Sequence, residues 1–186
     1  YFQGRGPKTH AYFHSIDESH HVFMHLDTTR VYVLPDNYAV DDPSLADIQY
    51  QFELTFSDEA LVQLDAPAQL SRDLHARTYV PGFLGLNNTA HHDAINVVLQ
   101  ALSHVAPLRD FFLRQKPGSD ATELLRRFGT LVRRLWNPRA FKRQVSPHEF
   151  LQQVSQASHG RFTASDACDP VDFLGWLLNQ LHRDLV

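Results

Sequence analysis

Cysteine is almost absent from this 186-residue chain, with Cys168 the only one. No internal disulfide can form, which suits a reducing compartment. Long apolar runs are missing as well. None approaches the roughly 20 residues needed to span a bilayer, so no membrane segment is expected, and no signal peptide is visible. An excess of positive charge is also lacking: the net charge is -4, against the basic balance of a chain that binds nucleic acid over its whole surface. What remains is an ordinary soluble composition, 43% hydrophobic and 20% charged. The length gives room for one sizeable domain, or for a small module joined to part of a larger one. The unusual abundance is histidine, with 12 residues, several of them within the first 25 positions.

The chain divides by pattern. Residues 1–40 read as a small β-containing module. His21 to Leu26 and Arg30 to Leu34 alternate in polarity around Asp27-Thr28-Thr29, a hairpin signal, and Pro35-Asp36-Asn37 ends it. Residues 41–77 read as a connector holding one short helix. Ser57-Asp58-Glu59 caps that helix, with Phe56 and Leu61 as a hydrophobic staple. From residue 78 the apolar period becomes helical. Ile95, Val98, Leu99 and Leu102 form one stripe. Leu124, Leu125, Phe128, Leu131, Val132 and Leu135 form a second, whose outer face is expected to carry Arg126, Arg127, Arg133 and Arg134. Ser146-Pro147-His148-Glu149 reads as a capping box, and Asp169-Pro170-Val171-Asp172 opens a last helix that should bury Phe173, Leu174, Leu177, Leu178 and Leu181. The fold class expected is α+β, a small module followed by a helical lobe.

Two clusters carry candidate chemistry. His10, His14 and His20 follow the spacing H-x3-H-x5-H. Imidazoles four residues apart share a helix face, and a third after a bend can reach the same ion; surface histidines without a ligand role are the alternative. Arg126, Arg127, Arg133 and Arg134, with Arg139, Lys142 and Arg143 further on, make the one concentrated basic stretch. It is either a solvated helix face or a surface for RNA backbone.

The stretch from Tyr1 to Phe23, YFQGRGPKTHAYFHSIDESHHVF, resembles the second half of a zinc-finger ubiquitin-binding domain of ubiquitin-specific proteases. Tyr1-Phe2-Gln3-Gly4 could be taken for a protease-site scar. Cleavage there would leave Gly4 first, so the four residues are read as native, preceded by a Cys-Gly-x segment. The resemblance implies Zn2+ held by His10, His14 and His20, with a cysteine upstream of Tyr1 completing the site. Val33 stands where relatives carry a further cysteine, which leaves a second zinc site short of a ligand. It also implies a pocket for a ubiquitin C-terminus or another partner around Tyr1, Phe2 and Arg5.

The stretch from Tyr79 to Gln100 resembles the cysteine box of the same proteases, G-L-x-N-x-G-N-T-C-Y-x-N-x-x-L-Q. Gly85, Leu86, Asn88, Asn96, Leu99 and Gln100 match it. Asn88 takes the place of an oxyanion-hole asparagine, and Asp93 that of the nucleophilic cysteine. A carboxylate is a poor nucleophile toward an isopeptide, and its charge would oppose the oxyanion. Removal of a nucleophile costs on the order of 10^6-fold in rate in a well-studied hydrolase. Taken without the family, Asp93 is an acid favoured by the dipole of a helix N-terminus; an Asp nucleophile or a metal site of His91, His92 and Asp93 are the other options. The stretch from Cys168 to His182 resembles the helix that follows the box, so the chain would hold the N-terminal, helical lobe of a papain-like protease fold. The motifs together resemble the inactive ubiquitin-specific-protease-like splicing factors of the U4/U6·U5 tri-snRNP. That implies a nuclear, non-catalytic scaffold, with tri-snRNP core proteins and an RNA helicase as partners, and snRNA backbone and ubiquitin as further candidates.

Overall fold

Two stretches of chain fold into separate units, Tyr1–Glu53 and Leu54–Val186. The computed structural model describes residues 4–26, 28–64, 70–88, 90–115, 118, 120–163 and 165–185. The span 41–77, read from sequence as a connector, is divided between the two units.

In the first unit, Thr9 caps helix α1 (His10–Asp17), its hydroxyl accepting from the Tyr12 amide and donating to the Gly6 carbonyl. Ala11 and Ser15, four apart, form the buried edge of α1. The expected hairpin pairs β1 (Val22–Met24) with β2 (Val31–Val33), antiparallel, with Phe23 opposite Tyr32. Pro35-Asp36-Asn37 does not end the sheet. Asn37 takes a left-handed φ of 59°, which asparagine tolerates, and the turn returns the chain as β3 (Tyr38–Val40) along the other edge of β2. Val31 and Leu34 are the buried anchors beneath. Asp42 then accepts from the Ser44 amide at 2.8 Å to start a 3-10 turn over Pro43–Leu45, and α2 (Ala46–Phe52) follows. Gln49 on α2 donates to the Thr29 carbonyl at 3.1 Å, tying residues beyond 40 to the hairpin.

The second unit is a helical lobe with short strands at one border. Ser57 caps α3 (Asp58–Gln63) through the Ala60 amide, Leu61 is buried, and Phe56 packs against the core. Strands β4 (Ser71–Arg72) and β5 (Thr78–Tyr79) are antiparallel, and β6 (Gly85–Leu86) lies parallel to β7 (Gln144–Val145). Five helices follow the apolar stripes: α4 (Asp93–Ser103), α5 (Ala106–Arg114), α6 (Glu123–Leu135), α7 (His148–Ala157) and α8 (Pro170–Leu185). The central helix, α6, packs on α5 and α7, while α4 packs on α5 and α8. Phe112, Phe128 and Phe150 run through α5, α6 and α7 as one aromatic row, with ring centroids 5.1 and 5.7 Å apart. Such pairs add to the area term that stabilises the core.

Three local expectations change. Leu178 is 43% exposed, so α8 buries Phe173, Leu177 and Leu181 with Leu174 at the margin. Arg133 is only 5% exposed and turns inward, because α6 is flanked on both sides and Gly129, one turn earlier, adds no side chain. Ser146 accepts from the His148 amide at 3.4 Å, but Glu149 does not close a capping box; it reaches Arg127 on α6 instead. At α8 the cap is as expected, Asp169 Oδ1 accepting from the amides of Val171 and Asp172.

Candidate functional site

The strand-to-helix turn from β6 to α4 is held by polar groups aimed at backbone. The Asn87 amide donates to the Val145 carbonyl at 2.9 Å, extending the β6–β7 pairing by one residue. The Asn87 carbonyl accepts from His92 Nε2 at 3.0 Å and from Asn96 Nδ2 at 3.3 Å. Gln100, one turn on, donates to the Leu84 carbonyl at 2.7 Å. Bonding to a carbonyl makes Nε2 of His92 a donor. His92 is 2% exposed, and its Nδ1, like Asn96 Oδ1, has no hydrogen-bond partner among the described residues. Asn96 and Gln100 therefore hold the turn in shape. His92, which the box pattern alone did not single out as structural, is the pin.

Asp93 and Asn88 face solvent on either side of this turn. Asp93 is the first residue of α4, where the helix dipole favours an acid. The lone thiol lies within its electrostatic reach. Burial pushes the Cys168 thiol above its ordinary range, and the negative charges of Asp169, Asp93 and Asp172 push it further. Reactive thiols sit in electropositive surroundings; Cys168 sits among acids.

In the first unit, His14 Nε2 and His20 Nδ1 stand 2.9 Å apart, their ring centroids 5.0 Å apart. Two imidazole nitrogens bound to one tetrahedral zinc at about 2.0–2.1 Å would be about 3.3 Å apart, so this pair fits a shared ion with a small adjustment. His10 lies on α1 with His14, but no group of three metal-binding side chains converges among the described residues. Arg5 stacks over the Tyr32 ring, its guanidinium carbon 3.9 Å from the centroid. Tyr1 and Phe2 lie outside the described residues.

The basic stretch on α6 is largely paired. Arg126 and Arg127 share Glu123, at 2.7 and 2.6 Å. Arg127 also meets Glu149 at 2.8 Å, and Arg134 approaches the same carboxylate at 3.7 Å. Burial pushes the Glu123 carboxyl up, but the bonds from Arg126 and Arg127 outweigh it and hold the group below its ordinary range. Arg133 donates Nη2 to the Gln115 carbonyl at 2.6 Å, and burial lowers its pKa to about 10.

The comparisons with known proteins agree with this layout. Residues 84–186 match the family model described as ubiquitin carboxyl-terminal hydrolase, and residues 1–45 match the one described as a Zn-finger in ubiquitin-hydrolases and other proteins. The chain belongs to the ubiquitin carboxyl-terminal hydrolase family, with an α+β fold that opens on the zinc-finger module of that family. Across its whole length it is 50% identical to Ubiquitin carboxyl-terminal hydrolase 39 of Homo sapiens and 46% identical to Probable mRNA-splicing protein ubp10 of Schizosaccharomyces pombe. Over 97% of its length it is 35% identical to Pre-mRNA-splicing factor SAD1 of Saccharomyces cerevisiae. It spans 34%, 37% and 40% of those relatives, respectively. A solved structure described as an essential yeast splicing factor matches 99% of the chain with a TM-score of 0.84 at 32% identity, the match covering 46% of that structure's chain.

Proposed function

We propose that this chain is part of a non-catalytic scaffold in nuclear pre-mRNA splicing, one that supports assembly or stability of the U4/U6·U5 tri-snRNP. The observation that carries the reading is Asp93. An acid stands at the first position of α4, where the family's box places its cysteine, while the polar residues around it fasten the turn. Cys168 offers no substitute, since acids and burial keep its thiol protonated. Relatives named as splicing proteins, similar along nearly all of this chain, support the role. The partners are then tri-snRNP proteins and the helicase that works on them. The full-length protein is expected to co-sediment with tri-snRNP from nuclear extract, and its depletion to reduce the tri-snRNP peak. Sedimentation only as a free protein, with the tri-snRNP peak unchanged by depletion, would refute the role.

Zinc in the first unit is the companion proposal. His14 and His20 would be ligands of one ion, which when bound would cross-link α1 to the chain ahead of the sheet. His14→Ala and His20→Ala should each lower the zinc measured by elemental analysis, whereas an unchanged content in both would remove the pair from the site. Ubiquitin remains a partner to test. The Arg5–Tyr32 stack, with Tyr1 and Phe2 nearby in sequence, is the candidate contact for a C-terminal carboxylate. Calorimetry with ubiquitin ending in Gly-Gly, beside the Arg5→Ala variant, separates binding at this stack from none. RNA backbone held by Arg126, Arg127, Arg133 and Arg134 has less behind it, because Arg133 is buried and the others share Glu123 and Glu149.

A further inference from the structure

Two sequence stretches some sixty residues apart meet in the second unit around a cleft of about 580 Å3, lined by His75, Arg77, Tyr79, Phe83, Lys142 and Arg143 among others. That volume falls within the range of small-ligand clefts, about 300–1,000 Å3, large enough for a nucleotide or two. One wall is cationic. The side chain of Asp73 is fully buried, and its Oδ2 receives Arg77 Nε and Nη2, both at 2.8 Å, and lies 3.8 Å from Arg143 Nε. Its Oδ1 accepts the amides of His75 and Arg77, both at 2.9 Å. A single buried carboxylate thus fixes two half-exposed guanidiniums at the cleft. No carboxylate pairs with Lys142 among the described residues, so three permanent cations meet one anion there. On a chain of net charge -4, this concentration is not a consequence of composition.

The other wall is aromatic and rigid. Val80-Pro81-Gly82-Phe83 has proline and glycine at its two central positions, a Gly82 φ of 87° and a bond from the Phe83 amide to the Val80 carbonyl at 3.0 Å, the type II turn pattern. The turn is seated on Trp136, whose ring atoms would lie 2.8–2.9 Å from any Cβ at position 82. The Gly82 amide is bonded to the Leu135 carbonyl at 2.8 Å. This geometry projects Phe83 outward, 71% exposed, with His104 behind it at a centroid distance of 4.8 Å. The pinned turn thus presents an exposed aromatic ring beside the cations of the cleft.

We propose that this cleft binds single-stranded RNA, its cations holding the phosphates and Phe83 stacking on a base. Cations that track a backbone beside a flat ring are the two parts of a sequence-tolerant single-strand site, whereas an acidic peptide would use the cations and leave the ring idle. The site does not depend on the scaffold reading and would be equally at home on an active hydrolase.

Fluorescence anisotropy of a labelled uridine decamer with the full-length protein tests it, over a salt series from about 50 to 200 mM. Phe83→Ala should weaken binding about tenfold or more and leave the salt slope unchanged, and Phe83→Trp should restore it. Lys142→Ala with Arg143→Ala should weaken binding and flatten the slope by roughly 1.4, two phosphate contacts at about 0.7 each. Arg126→Ala with Arg134→Ala, on α6, should change neither. All these side chains are at the surface, and circular dichroism confirms that the variants fold. RNA affinity that survives the Phe83 and Lys142/Arg143 substitutions, or preference for a glutamate-rich peptide over the decamer, would overturn the assignment.

Discussion

Replacing Asp93 by asparagine removes one of the charges that act on Cys168. Three acids and partial burial disfavour the thiolate, so the ordinary pKa near 8.5 is exceeded and little thiolate exists at neutral pH. Neutralising one acid lowers the thiol pKa and raises the thiolate fraction at fixed pH. Asp93→Asn should therefore speed alkylation of Cys168 by iodoacetamide at pH 8, roughly a few-fold, followed by mass spectrometry of the adduct. An unchanged rate would mean that the charge at Asp93 does not reach the sulfur. At this scale the buried face of the helix that begins at Asp93 was legible in the sequence, because Ile95, Val98, Leu99 and Leu102 recur at helical spacing. The part played by His92 was not legible. Its contact with the Asn87 carbonyl joins a loop residue to the residue before α4, and no periodicity records that.

Helix α6 shows what an amphipathic stripe can and cannot tell. Its apolar positions were all assigned correctly to the core, since helical spacing alone fixes which residues share a face. Arg133 was assigned to solvent because a charged residue usually is, yet its long stem lets it pack inward while Nη2 finds a carbonyl. The strand after Asn37 was missed for a related reason: Tyr38-Ala39-Val40 is too short to alternate visibly, and only the edge of β2 makes it a strand. On the outer side of α6, Glu123 holds Arg126 and Arg127. A carboxyl whose folded pKa is depressed contributes stability that is present above its unfolded pKa and is lost as pH falls through the folded value. Glu123→Gln should thus cost roughly 0.2–1 kcal/mol at pH 7, the screened range of exposed pairs, and nothing at a pH below the folded pKa of Glu123. Urea unfolding of both proteins at the two pH values checks this; an equal loss at both would assign the effect to packing.

Across the molecule, the division into a β-containing module and a helical lobe followed from a change of apolar period, from two to 3.6. The exact border did not follow. Residues 41–53 belong to the first unit through contacts such as Gln49 with Thr29, which link positions twenty residues apart. The same limit hid the cleft between residues 75–83 and 142–144, whereas the spacing of His14 and His20 already pointed to their closeness. The lobe keeps a packed core, and on the reading proposed here Asp93 makes it a body that docks and does not cut. The most direct measurement is turnover of a ubiquitin–fluorophore substrate by the purified full-length protein, beside its Asp93→Asn variant. No release above buffer from either protein is the expected result; steady release by the native protein, abolished in the variant, would contradict it.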